Sequence, residues 1–337
     1  MKYRNSSQVP IIDVAPLVTG VGDEGAVSSA MGEACRLEGF FYVVGHGVSE
    51  DLQRRLDELA HSFFAQDPET KLEIRMELAG NAWRGYFPVG GELTSGRPDL
   101  KEGLYFGAEL GDDDRRVRAG VPLHGANLFP SGLPGFRDTI LEYMAALTDL
   151  GHALMRGIAM SLALEPDYFR AGYMADPLTL FRIFHYPPAP PVPAREQQWG
   201  VGEHTDYGVL TILRQDDVGG LQVRTESRWI DARPVANSFV CNIGDMLDRL
   251  TRGLYRSTPH RVRNVSGLGR LSFPFFFDPG FDARVEPIDL PGGAPVREDD
   301  KDERWDGASV RAFDGTYGEY VLGKVSKVFP DLRKGAL

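Results

Sequence analysis

The chain has 337 residues, 42% hydrophobic and 25% charged, which is ordinary for a soluble globular protein and long enough to bury a sizeable core. A net charge of −11, from 37 basic and 48 acidic residues with no basic stripe, argues against nucleic acid or an anionic membrane surface as a partner. The first residues, Met1-Lys2-Tyr3-Arg4-Asn5-Ser6, lack an apolar signal core, and no run reaches membrane-spanning length, so a cytoplasmic protein is expected. Cys35 and Cys241 stand far apart in sequence and suggest neither a zinc site nor a redox pair.

In chain order, Val9–Asp13 reads as a short strand, Glu24–Glu38 as a helix and Phe40–Val44 as an apolar strand ended by Gly45-His46-Gly47. Glu50–Ala65 places Leu52, Leu56, Leu59 and Phe63 on one helical face. Pro68 opens a further helix to about Leu78, Pro being suited to a first helical turn. Gly103–Phe106 is a strand candidate, Pro134–Leu164 reads as one long helix, and Leu178–Tyr186 as a strand. The stiff Pro187–Pro193 loop, with Arg195–Trp199, is expected to form a flap. Six short strands between Val209 and Asp278 argue for an antiparallel barrel or double sheet. Glu298–Asp306 reads as a solvated charged loop, and Tyr317–Phe329 as a final helix.

The chemistry gathers at His204-Thr205-Asp206 and at His260. Two imidazoles and a carboxylate can hold ferrous iron on one face and leave the other open. Residues i and i+2 of an extended segment point the same way, so His204 and Asp206 can reach one ion; His260 opens a later strand-like run and supplies the third ligand. The triplet alone is also compatible with a solvated strand end. Downstream, Arg270-Leu271-Ser272 puts a guanidinium and a hydroxyl on one strand face, a fork suited to a carboxylate. The competing reading of Arg270 is a structural ion pair.

From Trp199 to Pro279 the segments GEHTDYGVLTIL, QDDVGGLQV, WIDARPVANSFVCNIGDML, GLYRSTPHRVRN and RLSFPFFFDP resemble the iron(II)/2-oxoglutarate-dependent oxygenases of the isopenicillin N synthase-like family. Val9–Asp13, Gly39–Val48 and Arg84–Glu92 resemble that family's opening segments, so the likeness covers nearly the whole chain. The resemblance implies a mainly β fold with flanking helices, a double-stranded β-helix or distorted jelly roll. It implies one oxygenase domain over residues 1–337: a mostly helical part to 170, a jelly-roll core with the iron site at 171–285, and a C-terminal loop and helix at 286–337. It also implies that His204, Asp206 and His260 bind Fe(2+) and serve catalysis with O2. Arg270, Ser272 and Tyr186 would then hold 2-oxoglutarate. His185 stands where many members have Asn, which leaves its own role open.

The reaction implied is decarboxylation of 2-oxoglutarate coupled to hydroxylation or desaturation of a small molecule. Three alternatives stand beside it: an iron oxidase without 2-oxoglutarate, as in isopenicillin N synthase or aminocyclopropane carboxylate oxidase; an ethylene-forming variant; and a catalytically silent binding protein of the same shape. Arg182 lies four residues before Tyr186 on one strand and shares its face, so it either meets the substrate or pairs with an acid in the barrel wall. Phe276 and Phe106 are the aromatic candidates for substrate contact, beside Tyr105 and Phe87; core packing competes for each. Neither substrate identity nor oligomeric state is fixed by these motifs.

Overall fold

Alternating and continuous apolar runs become strands, and amphipathic stretches become helices, in the computed structural model, which describes residues 8–94, 97–188, 199–225, 228–263, 266–293, 301, 307 and 309–328. The strands are β1 (Ile11–Asp13), β2 (Phe40–Val44), β3 (Gly85–Phe87), β4 (Leu93–Thr94), β5 (Arg97–Pro98), β6 (Glu102–Gly107) and β7 (Leu178–Tyr186). They continue as β8 (Val201–His204), β9 (Leu210–Gln215), β10 (Leu221–Arg224), β11 (Trp229–Asp231), β12 (Phe239–Ile243), β13 (His260–Val262) and β14 (Arg270–Asp278). The helices are α1 (Ala15–Thr19), α2 (Glu24–Leu37), α3 (Glu50–Phe64), α4 (Pro68–Leu72), α5 (Arg115–Arg118), α6 (Phe136–Ser161), α7 (Tyr168–Gly172), α8 (Asp245–Leu250) and α9 (Tyr317–Val328).

An eight-stranded sheet runs β1-β2-β12-β9-β14-β7-β6-β3, and a four-stranded sheet runs β11-β10-β13-β8. Every pairing in them is antiparallel except β1 with β2. The long helix α6 lies against β9 and β14 and also packs on α2 and α3. Gly151 lets it approach closely, because a Cβ there would sit 2.7 Å from the Phe277 ring. Residues of β7, β9 and β14 from the large sheet and β8, β10 and β13 from the small one line a shared cavity, with β4 and α9 at its edge. This is the expected distorted jelly roll with flanking helices.

Two expectations change. The helix expected from Pro68 to about Leu78 ends at Leu72; Arg75 is extended (φ −60°, ψ 148°), and a 3-10 segment follows at Met76–Ala82. The part to residue 170 carries α1 to α6 and also supplies β1, β2, β3 and β6 to the eight-stranded sheet. Asp206 lies past the end of β8, so a loop rather than a continuous strand delivers it. Residues 189–198 of the expected flap, and most of Glu298–Asp306, fall outside the described residues. Among the described residues no helix is long and apolar enough to cross a membrane.

Candidate active site

The pairing of β8 with β13 sets His204 directly opposite His260, and their ring centroids are 4.3 Å apart. The loop after β8 then returns Asp206. Its backbone carbonyl accepts from the Asp245 amide at the start of α8 (2.8 Å). Asp206 Oδ1 lies 3.8 Å from His204 Nε2 and 3.6 Å from His260 Nε2. One ligand atom from each residue falls within 4.8 Å of the others, a spacing one ion can bridge.

Each group is oriented for that task. His204 Nδ1 donates to the Gly202 carbonyl (2.8 Å) and His260 Nδ1 to the Thr258 carbonyl (3.2 Å), which leaves both Nε2 lone pairs aimed at Asp206. Burial, then the neighbouring His260 imidazole, push His204 down to about 4, so its ring is neutral at physiological pH. Asp206 Oδ2 accepts from Thr211 Oγ1 (2.5 Å) and Asn242 Nδ2 (2.7 Å), so Oδ1 is the oxygen that faces the imidazoles. Burial opposes the charge on Asp206, but His260, His204 and these two hydrogen bonds outweigh it and hold the carboxyl below its ordinary value. A mixed nitrogen and oxygen set on one face, with the opposite side open to the cavity, suits ferrous iron better than structural zinc.

Arg270 begins β14 and is fully buried, with no hydrogen-bond partner for Nε, Nη1 or Nη2 among the described residues. A buried cation without a partner is costly, and a carboxylate is the ligand that removes the cost. Its guanidinium lies 4.7 Å over the Tyr186 ring, its register partner on β7, and Ser272 stands on the same face two residues along. These three residues fit one end of an oxo diacid.

Arg182 and Phe276 also line the cavity. The Arg182 guanidinium is stacked between the Tyr105 ring (4.2 Å) and the Phe276 ring (4.8 Å). Among the described residues its Nε is buried with no hydrogen-bond partner, and the Glu92 carboxylate is 3.6 Å from Nη1, within ion-pair range but beyond hydrogen-bond reach. Glu92 is held more closely by Lys101 Nζ (2.7 Å) and Tyr105 OH (2.6 Å). Phe106 does not line this cavity. It faces the other side of β6 and packs on Phe129, Phe136 and Phe181, because neighbours along a strand alternate faces and Tyr105 takes the cavity side. Phe87 packs against Tyr105 and Phe184. His185 points away from the cavity too: its Nδ1 is 2.8 Å from Glu102, and its ring stacks on Phe64.

Sequence reasoning missed Thr211, Asn242, Glu92 and Lys101. Asn242 could have been found, as the one amide inside the apolar run Phe239–Ile243, since a polar group buried there demands a partner.

Two family profiles match the chain. One, described as the N-terminal region of the non-haem dioxygenase in morphine synthesis, covers residues 9–132; the other, the 2OG-Fe(II) oxygenase superfamily, covers 177–279. The chain belongs to the 2OG-Fe(II) oxygenases. A probable iron/ascorbate oxidoreductase of Dictyostelium discoideum is 50% identical over 98% of this chain and 97% of its own length. A 1-aminocyclopropane-1-carboxylate oxidase of Dictyostelium discoideum is 37% identical (96% of each chain). A homoarginine-6-hydroxylase of Arabidopsis thaliana is 36% identical (97% of this chain, 90% of the relative). The crystal structure of a full-length Neurospora crassa protein in complex with alpha-KG and thymine matches with a TM-score of 0.77 at 26% identity, over 96% of this chain and 98% of that one. This oxygenase is therefore a 2-oxoglutarate-dependent dioxygenase that uses Fe(2+) and O2 on a small molecule.

Proposed function

We propose that His204, Asp206 and His260 hold the iron of this dioxygenase, that Arg270, Ser272 and Tyr186 receive the distal carboxylate of 2-oxoglutarate, and that the prime substrate is a small carboxylic acid received by Arg182. When bound, iron and 2-oxoglutarate supply the oxidising chemistry: the oxo acid loses CO2 to become succinate while O2 oxidises a substrate C–H bond. The chain's own groups do the positioning. The two Nδ1–H bonds fix the imidazoles, Thr211 and Asn242 fix the carboxylate, and Leu93, Phe184, Val321 and Val325 give the cavity an apolar wall against water.

The observation that carries the substrate class is the Arg182 guanidinium, pinned between two rings at the cavity wall with a buried Nε–H that no group among the described residues accepts. The relatives' names support it: 1-aminocyclopropane-1-carboxylate and homoarginine are both α-amino acids. The test is a screen of α-amino acids and other small acids for release of succinate by enzyme loaded anaerobically with iron, each acid run beside its primary amide. Acids that raise succinate release while their amides do not are expected; equal response to acid and amide would remove Arg182's role.

The relative named for aminocyclopropane carboxylate oxidation supports a second reading, in which Arg270 and Ser272 hold the substrate's own carboxylate and no oxo acid is consumed. Product formed without an equal amount of succinate would favour it. Hydroxylation and desaturation are both open to the proposed site.

A further inference from the structure

Beside Arg182 lies a second, small cavity, an annex bordered by Arg84, Tyr105 and Phe106 that shares Leu180, Arg182 and Val325 with the main cavity and has room for about one water-sized group. Arg84 is 1% exposed, and its guanidinium is as deeply buried as that of Arg270. One Nη donates to the Leu123 carbonyl (2.7 Å), while Nε is buried with no partner among the described residues. Burial pulls Arg84 down to about 10 even with Glu109 nearby to favour its charge, so it is a cation at neutral pH. Its place is built into the fold. The guanidinium lies flat on Gly107, where a Cβ would meet Nη2 at 1.9 Å and Cζ at 2.1 Å.

Gly107 and Tyr105 are alternate residues of β6 and share the face on which Arg182 stacks. The two strand positions are roughly 7 Å apart, with Arg84 against the backbone of one and Arg182 against the ring that projects from the other, so both side chains border one annex where a carboxylate lying between them would meet both. Among the described residues neither arginine has an acceptor for its Nε–H, and both line the same narrow space. A cationic tail would be repelled here; an anionic oxygen would satisfy both groups.

We propose that Arg84 is the second jaw of an arginine clamp: the substrate carboxylate directs one oxygen to Arg182 and the other into the annex toward Arg84. This rests on the reading of Arg182 as the substrate's anchor. It assigns Arg84 as a binding residue that selects carboxylates over amides and alcohols.

Acetate serves as the probe, titrated by calorimetry into anaerobic full-length enzyme saturated with Mn(II) and 2-oxoglutarate, so that the cosubstrate site is already filled; acetamide is the control. Wild type should bind acetate and not acetamide. Arg84→Met and Arg182→Leu should each weaken acetate binding roughly ten- to a hundred-fold, the loss expected for a charged hydrogen bond. Arg84→Lys should recover part of that loss. Acetate bound by Arg84→Met as by wild type, yet lost in Arg182→Leu, would overturn the clamp and leave the Arg182 reading standing. Binding indifferent to both arginines, or no binding to wild type, would overturn both. Should Arg84→Met not fold, a crystal structure of wild type with acetate decides the matter: a carboxylate contacting both guanidiniums supports the clamp, and one contacting Arg182 alone refutes it.

Discussion

Asp206 has two carboxylate oxygens, and the protein commits them to different tasks. Thr211 and Asn242 both donate to Oδ2, so Oδ1 is the oxygen that faces the two imidazoles. Partners of this kind typically matter roughly ten- to a hundred-fold in metal affinity. Thr211→Val and Asn242→Ala are therefore expected to weaken Mn(II) binding by about that factor, read by electron paramagnetic resonance titration, with melting temperature changed far less than metal affinity. Wild-type affinity in both would show that Asp206 needs no such support. His204→Ala, Asp206→Ala and His260→Ala should each abolish iron-dependent turnover with the fold retained; near-normal iron binding by Asp206→Ala would sink the assignment. Arg270→Ala should raise KM for 2-oxoglutarate roughly ten- to a hundred-fold, the loss of a charged hydrogen bond in a buried site. An unchanged KM, with only substrate affinity reduced, would favour the oxidase reading. Residues of this sort were legible in sequence when they carried a characteristic spacing, as His204, Asp206, Arg270 and Ser272 do. Lys101 and Glu92 carry none, and only the fold brings them to the same wall.

Elements hold the site through their ends. Helix α9 is fastened over the cavity by Tyr317, whose hydroxyl donates to Asp278 Oδ2 at the end of β14 (2.6 Å), and by Tyr320, which donates to Asp245 (2.9 Å). Asp278 Oδ1 accepts the Val209 amide (3.0 Å), and Gly208 makes room for it, since a Cβ there would lie 1.5 Å from that oxygen. Burial pushes Asp278 from 3.8 up to about 7, against the hydrogen bonds from Tyr317 and Val209. Because the folded value is raised, folding favours the protonated form: its contribution is complete below 3.8 and is lost as pH rises through about 7. Asp278→Asn resembles the protonated group and should flatten that decline. Thermal melts between pH 4.5 and roughly 8 should show wild type losing stability relative to the variant as pH rises; parallel curves would exclude Asp278 as the source. Strands and long helices were legible because their apolar periods are long enough to read, as in α3 and β14. Single-turn elements were not: α8 has six residues and α1 five, too short for a period, and α4 stops where Arg75 turns extended.

Across the whole molecule, charge is segregated. The chain carries −11 overall, yet its cavity wall presents Arg182, Lys101 and Arg270 against Glu92, Asp206 and an Asp278 whose charge burial suppresses. The cations are also spaced. Arg270 pairs in register with Tyr186 at one end of β7, and Arg182 stands four residues away, roughly 13 Å along the strand. One carboxylate cannot reach both, so the proposed anchors for the two acids are separate, with His204 and His260 on the facing sheet and Asp206 in the loop after β8. That division predicts how the site fails. Removing the Arg182 anchor leaves the proposed iron and 2-oxoglutarate groups intact and takes away only the group that positions the substrate. Arg182→Leu is therefore expected to weaken prime-substrate binding roughly ten- to a hundred-fold. Succinate should still form, with more of it made per product, while affinity for Mn(II) and 2-oxoglutarate stays near wild type. The measurement is the succinate-to-product ratio beside separate binding titrations. The glutamate at 3.6 Å supplies the competing account, in which Arg182 serves only to neutralise Glu92. Under it, Arg182→Leu would lower stability and leave the ratio unchanged, and that result would return Arg182 to the structure and out of the site.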